Sequence, residues 1–502
     1  MRYCGITEGL HNAAITFIDG DGNIEFASES ERYTKIKNDS KIHLYLQQMI
    51  ERTDKICWYE DPRMRASYIG LQKYSTSAMK HKYSDVLMPI QWGEHHKSHA
   101  ASSYYTRPWN SQKDTVILNI DGYGEYQSAT IYNHKFELLH EVLMPYSIGS
   151  MYAIITKLLG FRPMQEEYIV MGMASFGDPL YVDMITQIQE KVYKDIHDKL
   201  QDWKWQTYDA KEQDRIVQQY RMAKQDVIVN DIKNGLLKLG KREDIAASIQ
   251  KWAEIEILKL AKIARKYGSK LCYAGGVAQN VKANTLLYDL FDEVWIAVNP
   301  TDGGCSLGAA ARQYCLSTGK DKINFVDAYL GFDDGGLINP SDVVKHLNEE
   351  AMCGVISGPA EFGPRALGNR SLLADPRLDI KDTVNTIKRR QKFRPFAPVI
   401  LEEYVDQYFD GPTNPFMQFT AKAKHDYNSV THVDGSARVQ TVPKNSRSII
   451  RPILEEWYEK TGVPMLLNTS LNVKGKPICN DRYDGYQFQV NSNTKVFYND
   501  SY

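Results

Sequence analysis

The sequence predicts an α/β protein with two domains, and three observations lead to this prediction. The chain has 502 residues, which is more than one hydrophobic core usually organises. Hydrophobic residues make up 43% and charged residues 25%, the balance of an ordinary globular protein. Strand, glycine turn and helix then alternate over residues 270–287 and again over 294–314, a pattern typical of α/β layering.

Two strand–turn–strand units come first along the chain. Residues 13–18 and 24–27 are strand-like and flank a turn rich in aspartate and glycine, which predicts a hairpin. Residues 115–120 and 128–132 repeat the pattern around a tight turn predicted at 121–125. We therefore expect an antiparallel pair of strands at each place.

The middle of the chain, from about residue 180 to 245, has apolar residues three and four positions apart on otherwise polar faces. This spacing predicts helices, which we interpret as an insertion that serves core packing rather than catalysis. A segment rich in glycine and aspartate at 329–340 then precedes a new apolar strand at 354–357. The chain is therefore expected to divide into domains 1–335 and 336–502.

Bulk properties exclude several classes of protein. A formal net charge of −1 argues against a protein that holds nucleic acid by bulk electrostatics. The seven cysteines include no CxxC pair, so we interpret them as reduced thiols. The N-terminus does not resemble a signal peptide, and no apolar stretch approaches eighteen residues. We therefore expect a cytoplasmic protein without a membrane partner.

Two histidines and two aspartates form a candidate metal site. His95 and His99 stand four positions apart before an alanine-rich run that should be helical, so their rings would project from one face. Taken alone, this pair fits a surface or core histidine cluster equally well. Asp121 and Asp302 each follow a strand at a glycine turn, where a carboxylate faces a cleft. Nitrogen and oxygen ligands without thiolate suit iron, manganese or zinc.

Two further stretches indicate phosphate binding. Gly275, Gly276 and Asn280 lie between a strand and a helix, where glycines admit a ligand to the backbone and the helix N-terminus favours anions. A packing turn is the alternative. Residues 361–371 and 388–395 combine arginine with glycine, proline and aromatic residues, which suits several phosphate oxygens held by forked guanidinium groups. A solvated basic patch and a nucleic-acid surface are the alternatives here, and the near-neutral total charge disfavours the second.

These motifs, taken together, resemble a known family. The sequence contains EFGPRALGNRS at 361–371, FRPFAP at 393–398 and TGVPMLLNTSLNVKGKPI at 461–478. The N-terminal half adds HHKSHAASSYY, NIDGYGE, AGGVAQN and PTDGGCSLGAA in the same order. This set is similar to the signature of O-carbamoyltransferases of the antibiotic and nodulation-factor type, over nearly the whole chain apart from the helical stretch.

The resemblance implies a fold and a reaction. The large N-terminal domain would resemble the tRNA threonylcarbamoyl-transfer protein and share the fold of the actin, sugar kinase and Hsp70 ATPases. The smaller C-terminal α/β domain would resemble the carbamoyladenylate-forming partner of that pathway. In this scheme ATP, with Mg²⁺, and carbamoyl phosphate give carbamoyladenylate and pyrophosphate, and the carbamoyl group then passes to a hydroxyl.

The resemblance also implies roles for individual residues. The phosphates of ATP and carbamoyl phosphate would be held by Arg365, Arg370, Lys388, Arg394, Arg438 and Asn472. The metal, for which the resemblance favours iron, would be held by His95, His99, Asp121 and Asp302. Gly275, Gly276 and Asn280 would lie against the adenylate, and His11 would position the acceptor or transfer its proton.

Departures from the family pattern concern the handling of the acceptor and of the adenylate. Asn12, Asn38, Ile169 and Lys476 replace residues that are usual in the family. The acceptor is expected to be a small natural product or a hydroxymethylated pyrimidine. Nucleic acid is therefore expected as a partner only where it carries the modified base that accepts the carbamoyl group. A homo-oligomer is compatible with the sequence. A tRNA threonylcarbamoyladenosine-type enzyme and a non-catalytic ATP-binding scaffold are the alternative functions.

Overall fold

The structure of the protein is a computed structural model. It describes residues 1–50, 53–61, 90–125, 127–144, 146–200, 240–334 and 336–499, with the side chains of 192–200 left out.

The first sheet is built from three antiparallel strands followed by two parallel ones. Its strands are β1 (Tyr3–Thr7), β2 (Ala14–Ile18), β3 (Ile24–Glu29), β4 (Lys55–Trp58) and β5 (Gln91–Trp92). Their spatial order is β3-β2-β1-β4-β5, with β1, β2 and β3 antiparallel and β4 and β5 parallel to β1. Strands β1 and β2 are buried at every residue, which explains their continuous small and apolar sequence.

The second sheet repeats this topology. Its strands are β6 (Thr115–Gly124), β7 (Gln127–Asn133), β8 (Leu138–Leu143), β9 (Lys270–Ala274) and β10 (Glu293–Ile296). Read from β8, the order is β8-β7-β6-β9-β10, again with three antiparallel strands followed by two parallel ones. The two sheets share one order and direction, and the prediction of an actin, sugar kinase and Hsp70 ATPase-like fold is confirmed.

Helices surround and separate these two sheets. They are α1 (Glu31–Thr34), α2 (Leu44–Ile50), α3 (His95–Tyr104), α4 (Ile148–Leu158), α5 (Glu167–Met173), α6 (Val182–Leu200), α7 (Arg242–Arg265), α8 (Val281–Leu287) and α9 (Asp302–Thr318). Helix α9 packs on β1 and β2, while α3 packs on β6 and β9. The two helices also contact each other closely, because a Cβ on Gly308 would lie 1.9 Å from the carbonyl oxygen of Ser98. The start of α3 is thereby brought beside the start of α9.

The helical stretch predicted between about 180 and 245 is present where it is described. Helix α6 covers Val182–Leu200, α7 begins at Arg242, and residues 201–239 lie outside the described residues. One face of α7 is buried in the core against α4, α5 and α6, with Trp252 1% exposed.

A third, six-stranded sheet organises the C-terminal part. The strands of the C-terminal part are β11 (Tyr329–Asp333), β12 (Met352–Ile356), β13 (Pro359–Glu361), β14 (Arg370–Ala374), β15 (Ala397–Leu401), β16 (Phe409–Asp410), β17 (Ala421–Ala423), β18 (Ser436–Ala437), β19 (Gln440–Val442), β20 (Met465–Ser470) and β21 (Val496–Phe497). Six of them form the sheet, in the order β19-β15-β20-β14-β12-β21. Successive residues of a strand point to opposite faces of this sheet, and each face is covered by its own hydrophobic core. Leu373 belongs to one of these cores and Leu372 to the other. The accompanying helices are α10 (Pro340–Glu350), α11 (Lys381–Ile387), α12 (Val405–Tyr408), α13 (Ile450–Thr461) and α14 (Arg482–Ser492).

Two sequence expectations concern boundaries. The tight turn predicted at 121–125 is wrong, because β6 continues to Gly124 through an irregular register with β7. The division near residue 335 stays a prediction.

Among the described helices, none is both long enough and apolar enough to cross a membrane.

Candidate active site

A single cavity of about 440 Å³ is lined by residues from both halves of the chain. The N-terminal half contributes His11, Asp121 and Asp302 to its wall, and the C-terminal half contributes Arg365 and Lys388. Sequence positions that lie hundreds of residues apart therefore face one shared cavity.

The four predicted metal ligands come together at the N-terminal side of this cavity. One potential ligand atom from each of His95, His99, Asp121 and Asp302 lies within 4.8 Å of the others. The His95 Nε2 atom is 3.0 Å from Asp121 Oδ2. The His99 Nε2 atom is 3.3 Å from Asp121 Oδ2 and 3.4 Å from Asp302 Oδ1.

Local structure explains this convergence. Helix α3 begins at His95, so His95 and His99 project from the same face one turn apart. The Thr301 side chain accepts a hydrogen bond from Gly303 N at 3.3 Å and thereby starts α9 at Asp302. Asp121 lies within β6 rather than in a turn, where the register with β7 becomes irregular.

The chemistry of this cluster fits a divalent cation. Burial lowers the pKa of His95, but the charge of Asp302 and a hydrogen bond to Asp121 outweigh it and raise that pKa to about 9. The fully buried ring of His99 makes no well-directed hydrogen bond among the described residues, although its Nε2 atom lies 3.3 Å from Asp121 Oδ2 and 3.4 Å from Asp302 Oδ1. When both imidazoles are neutral, as metal binding requires, the carboxylates of Asp302 (buried) and Asp121 (partly exposed) leave a negative charge that a bound cation would offset.

A cluster of cations lines the C-terminal side of the cavity. This cation cluster comprises Arg365, Lys388, Arg390, Arg394 and Arg438. No carboxylate in the described ranges forms a salt bridge with any of them. Burial lowers the pKa of Arg438 well below its ordinary value, and the neighbouring charges of Arg365, Arg390 and Arg394 lower it further. Cations that repel each other in a partly buried space favour a polyanionic ligand.

Neutral partners hold the cations in position. The Lys388 Nζ atom donates to the main-chain oxygens of Ser470 and Asn472 and, at 3.0 Å, to Asn472 Oδ1. The Arg394 guanidinium lies 4.7 Å from the ring centre of Tyr168, a residue of α5 in the N-terminal half. Asn472 therefore supports Lys388 and also lines the cavity.

Arg370 lies elsewhere, contrary to the prediction for this residue. It is 0% exposed and does not line the cavity. Its guanidinium donates to main-chain oxygens of Phe332, Ser357, Gly358, Asn369 and Asn480. Its donors are thus used by the backbone, and Arg370 links loops around β14. Arg390 occupies the cavity wall instead, and the sequence marked it only as one of several cations in the run 388–395.

The glycine-rich turn is only partly exposed to the cavity. Gly276 and Asn280 line it, while Gly275 does not. Gly275 has a φ of +93°, and a Cβ there would lie 2.3 Å from the Ile120 carbonyl oxygen, so close packing requires glycine. The Gly276 amide donates to Asp121 Oδ1 at 3.1 Å. A short 3₁₀ turn, Gly276–Gln279, separates the strand from α8, and Asn280 caps that helix.

His11 lies where the cluster of the four candidate metal ligands, hereafter the metal cluster, meets the cavity. Its Nε2 atom is 3.7 Å from Asp302 Oδ2, and its Nδ1 atom is 2.8 Å from Asn12 Oδ1. Glu29, which the sequence did not single out, also lines the cavity, and burial raises its pKa to about 7.

The four departures from the family pattern have different surroundings. Asn12 and Asn38 line the cavity at φ values of 53° and 56°, a region that asparagine tolerates well. Lys476 lines it too. Ile169 is 0% exposed and packs in the interior, so its side chain does not reach the ligand space.

Comparisons with known proteins show which protein families and which individual proteins the chain resembles. Residues 65–311 match a family model described as carbamoyltransferase N-terminus, and residues 344–502 match carbamoyltransferase C-terminus. Nodulation protein NolNO of Sinorhizobium fredii is 28% identical over 95% of this chain and 76% of its own length. Nodulation protein NolO of Bradyrhizobium diazoefficiens is 30% identical over 76% of this chain and 73% of its own. Among solved structures, the activator of the 2-hydroxyisocaproyl-CoA dehydratase from Clostridium difficile is 14% identical, with a TM-score of 0.37, over 65% of this chain and 100% of that one.

Proposed function

The chain belongs to the carbamoyltransferase family, and we propose that it forms carbamoyladenylate from ATP and carbamoyl phosphate and transfers the carbamoyl group to a hydroxyl. The observation that carries this proposal is the shared cavity, in which the cation cluster and the metal cluster face one space. An intermediate made at one end could then be used at the other without leaving the protein.

The cation cluster suits the first half-reaction. ATP and carbamoyl phosphate are both polyanions, and five cations without carboxylate partners among the described residues reduce the repulsion between them. Guanidinium groups also stabilise the charge that develops on the α-phosphate as pyrophosphate leaves. Atom balance requires one water and releases one inorganic phosphate for each pyrophosphate, so the two products should appear in equal amounts.

The metal cluster and His11 suit the second half-reaction. A divalent cation, for which the family resemblance favours iron, would be held by His95, His99, Asp121 and Asp302 and would act as a Lewis acid toward the adenylate. If His11 Nδ1–H donates to Asn12 Oδ1, the lone pair of His11 Nε2 is left to accept the proton of the acceptor hydroxyl. The hydroxyl oxygen then bonds to the carbamoyl carbon of the adenylate, and AMP leaves. The acceptor is a natural product or a hydroxymethylated pyrimidine.

Pyrophosphate release tests the proposal. Purified protein with ATP, Mg²⁺ and carbamoyl phosphate should release pyrophosphate, whereas threonine with bicarbonate should not support release. Arg365→Ala should reduce the rate by roughly 100-fold or more, because it removes one donor to developing charge. Arg447→Ala is the matched control, since Arg447 is exposed and pairs with Asp327 away from the cavity.

Other outcomes would favour other functions. Pyrophosphate release driven by threonine and bicarbonate alone would indicate a tRNA threonylcarbamoyladenosine-type enzyme. Binding of ATP without pyrophosphate release in either condition would indicate a scaffold. Full activity of Arg365→Ala would refute the assignment of the cation cluster.

A further inference from the structure

A buried carboxylate lies behind one of the two histidines of the metal cluster. Glu60 follows the C-terminal end of β4, and its Oε2 atom is 3.6 Å from His95 Nδ1. The Glu60 side chain is 4% exposed and the His95 side chain is 0% exposed, so bulk water does not come between them. The other ring nitrogen of His95 faces Asp121 at 3.0 Å.

This arrangement matters because an imidazole can bind a metal only through a nitrogen that carries no proton. Which nitrogen is free depends on the hydrogen bond made by the other one. A carboxylate beside Nδ1 favours a proton on Nδ1 and leaves the lone pair on Nε2, the nitrogen that faces Asp121. It also makes the imidazole a better electron donor to a bound cation.

We infer that Glu60 is a positioning residue that fixes the tautomer and orientation of His95 for metal binding. The inference rests on the proposed metal centre. It adds to the four proposed ligands a fifth residue, Glu60, which supports one of them without binding the metal. The separation of 3.6 Å exceeds a hydrogen bond, so we expect a small approach of ring and carboxylate when the cation binds.

Other neighbours of His95 act on different parts of the residue. Glu125 Oε1 accepts a hydrogen bond from the main-chain nitrogen of His95 at 3.2 Å, which fixes the start of α3 but does not reach the ring. Gly124 lies against the opposite edge of the ring, since a Cβ there would be 2.0 Å from His95 Cδ2. The ring is therefore bounded by Gly124 on one edge and by Glu60 at Nδ1.

The test compares three variants of the full-length protein. Apo-protein is titrated with Co²⁺ in competition with a chelator, and the visible absorption of bound Co²⁺ is recorded. Glu60→Ala should weaken Co²⁺ binding by about 10- to 100-fold, and Glu60→Gln should fall between it and the wild type, because glutamine keeps the volume but loses the charge. Glu125→Gln is the matched control and should leave the affinity unchanged.

The outcomes separate this inference from the metal proposal. Wild-type affinity and an unchanged Co²⁺ spectrum in Glu60→Ala would overturn the role of Glu60 while leaving the metal centre intact. Absence of Co²⁺ binding by the wild-type protein would refute the metal centre and, with it, this inference. If Glu60→Ala does not fold, Glu60→Gln decides, and wild-type affinity in that variant would count against the inference.

Discussion

Substitution of Arg370 by methionine should destabilise the protein while leaving the ligand cavity intact. Arg370 makes four hydrogen bonds of 3.0 Å or less to main-chain oxygens, those of Phe332, Gly358, Asn369 and Asn480. Hydrogen bonds to a charged group contribute about 1.5–3 kcal/mol each, so their gross loss is roughly 6–12 kcal/mol. Removing a buried guanidinium recovers a desolvation penalty of several kcal/mol, which leaves a net loss of about 3–5 kcal/mol.

Thermal unfolding measures this effect. A loss of 1 kcal/mol lowers the melting temperature of a domain of 150–250 residues by roughly 2–4 °C, so Arg370→Met should lower it by roughly 6–20 °C. At a temperature where the variant is still folded, pyrophosphate release should remain close to the wild-type rate. Affinity for ATP should be unchanged for the same reason.

Arg390→Met is the matched control because it should have the opposite pattern. The Arg390 guanidinium stacks 4.1 Å from the ring centre of Phe396, and burial together with the charge of Arg394 lowers its pKa well below the ordinary value. Losing a disfavoured charge should shift the melting temperature by only a few degrees, whereas pyrophosphate release should fall by roughly 100-fold. Two results would refute this reasoning. One is an Arg370→Met variant that melts at the wild-type temperature but loses pyrophosphate release, and the other is an Arg390→Met variant that keeps pyrophosphate release.

The remaining predictions concern packing, pH and ligand binding. Gly124→Ala should displace the His95 ring and weaken Co²⁺ binding at least tenfold in chelator competition, whereas Gly122→Ala, whose added Cβ meets nothing within 4 Å, should not. Burial raises the pKa of Asp434, but hydrogen bonds from Lys282, Ser436 and Ser175 together with the charge of Lys282 outweigh this and lower the pKa below 3.8. The pair should therefore stabilise the fold above pH 3.8 and lose this contribution at lower pH. Asp434→Asn should cost about 1 kcal/mol in thermal unfolding at pH 7, and a difference that does not shrink below pH 3.8 would contradict the pairing. Inorganic pyrophosphate should raise the melting temperature of the wild-type protein, because it offsets repulsion within the cation cluster, and an unchanged melting temperature would count against anion binding there.

Local sequence patterns predicted the elements of the fold better than their arrangement. The strands of the first hairpin and the helix that starts at His95 follow from apolar runs and spacing, which are properties of adjacent residues. The repeated order of the two five-stranded sheets depends on hydrogen bonds between distant segments, so it entered only through the family resemblance. The turn expected after Ile120 was wrong because tertiary pairing with β7 extends β6 through residues that usually favour turns.

The convergence of the four candidate metal ligands could be predicted from the sequence because they stand at positions with strong local signals. His95 and His99 share one helical face, and Asp302 follows a helix-capping threonine. Glu60 gave no such signal, since a glutamate after a short buried strand is common. Its importance depends on the position of the His95 ring, which is set by a different segment of the chain.

The arginines show why a motif does not by itself separate ligand binding from structural support. A buried guanidinium has five donors to satisfy, and either backbone carbonyls or a bound anion can accept from them. Arg370 stands at the start of a central strand, next to loops whose carbonyl oxygens point inward, so the protein itself supplies its acceptors. Arg390 follows the end of α11 at the cavity wall, beside other cations, and among the described residues it donates only to Asn385 Oδ1 and the Pro395 carbonyl oxygen. Both arginines would be essential in an activity screen in cells, since loss of folding and loss of ligand binding abolish function alike. Only stability and turnover measured on the same variants can assign the two roles.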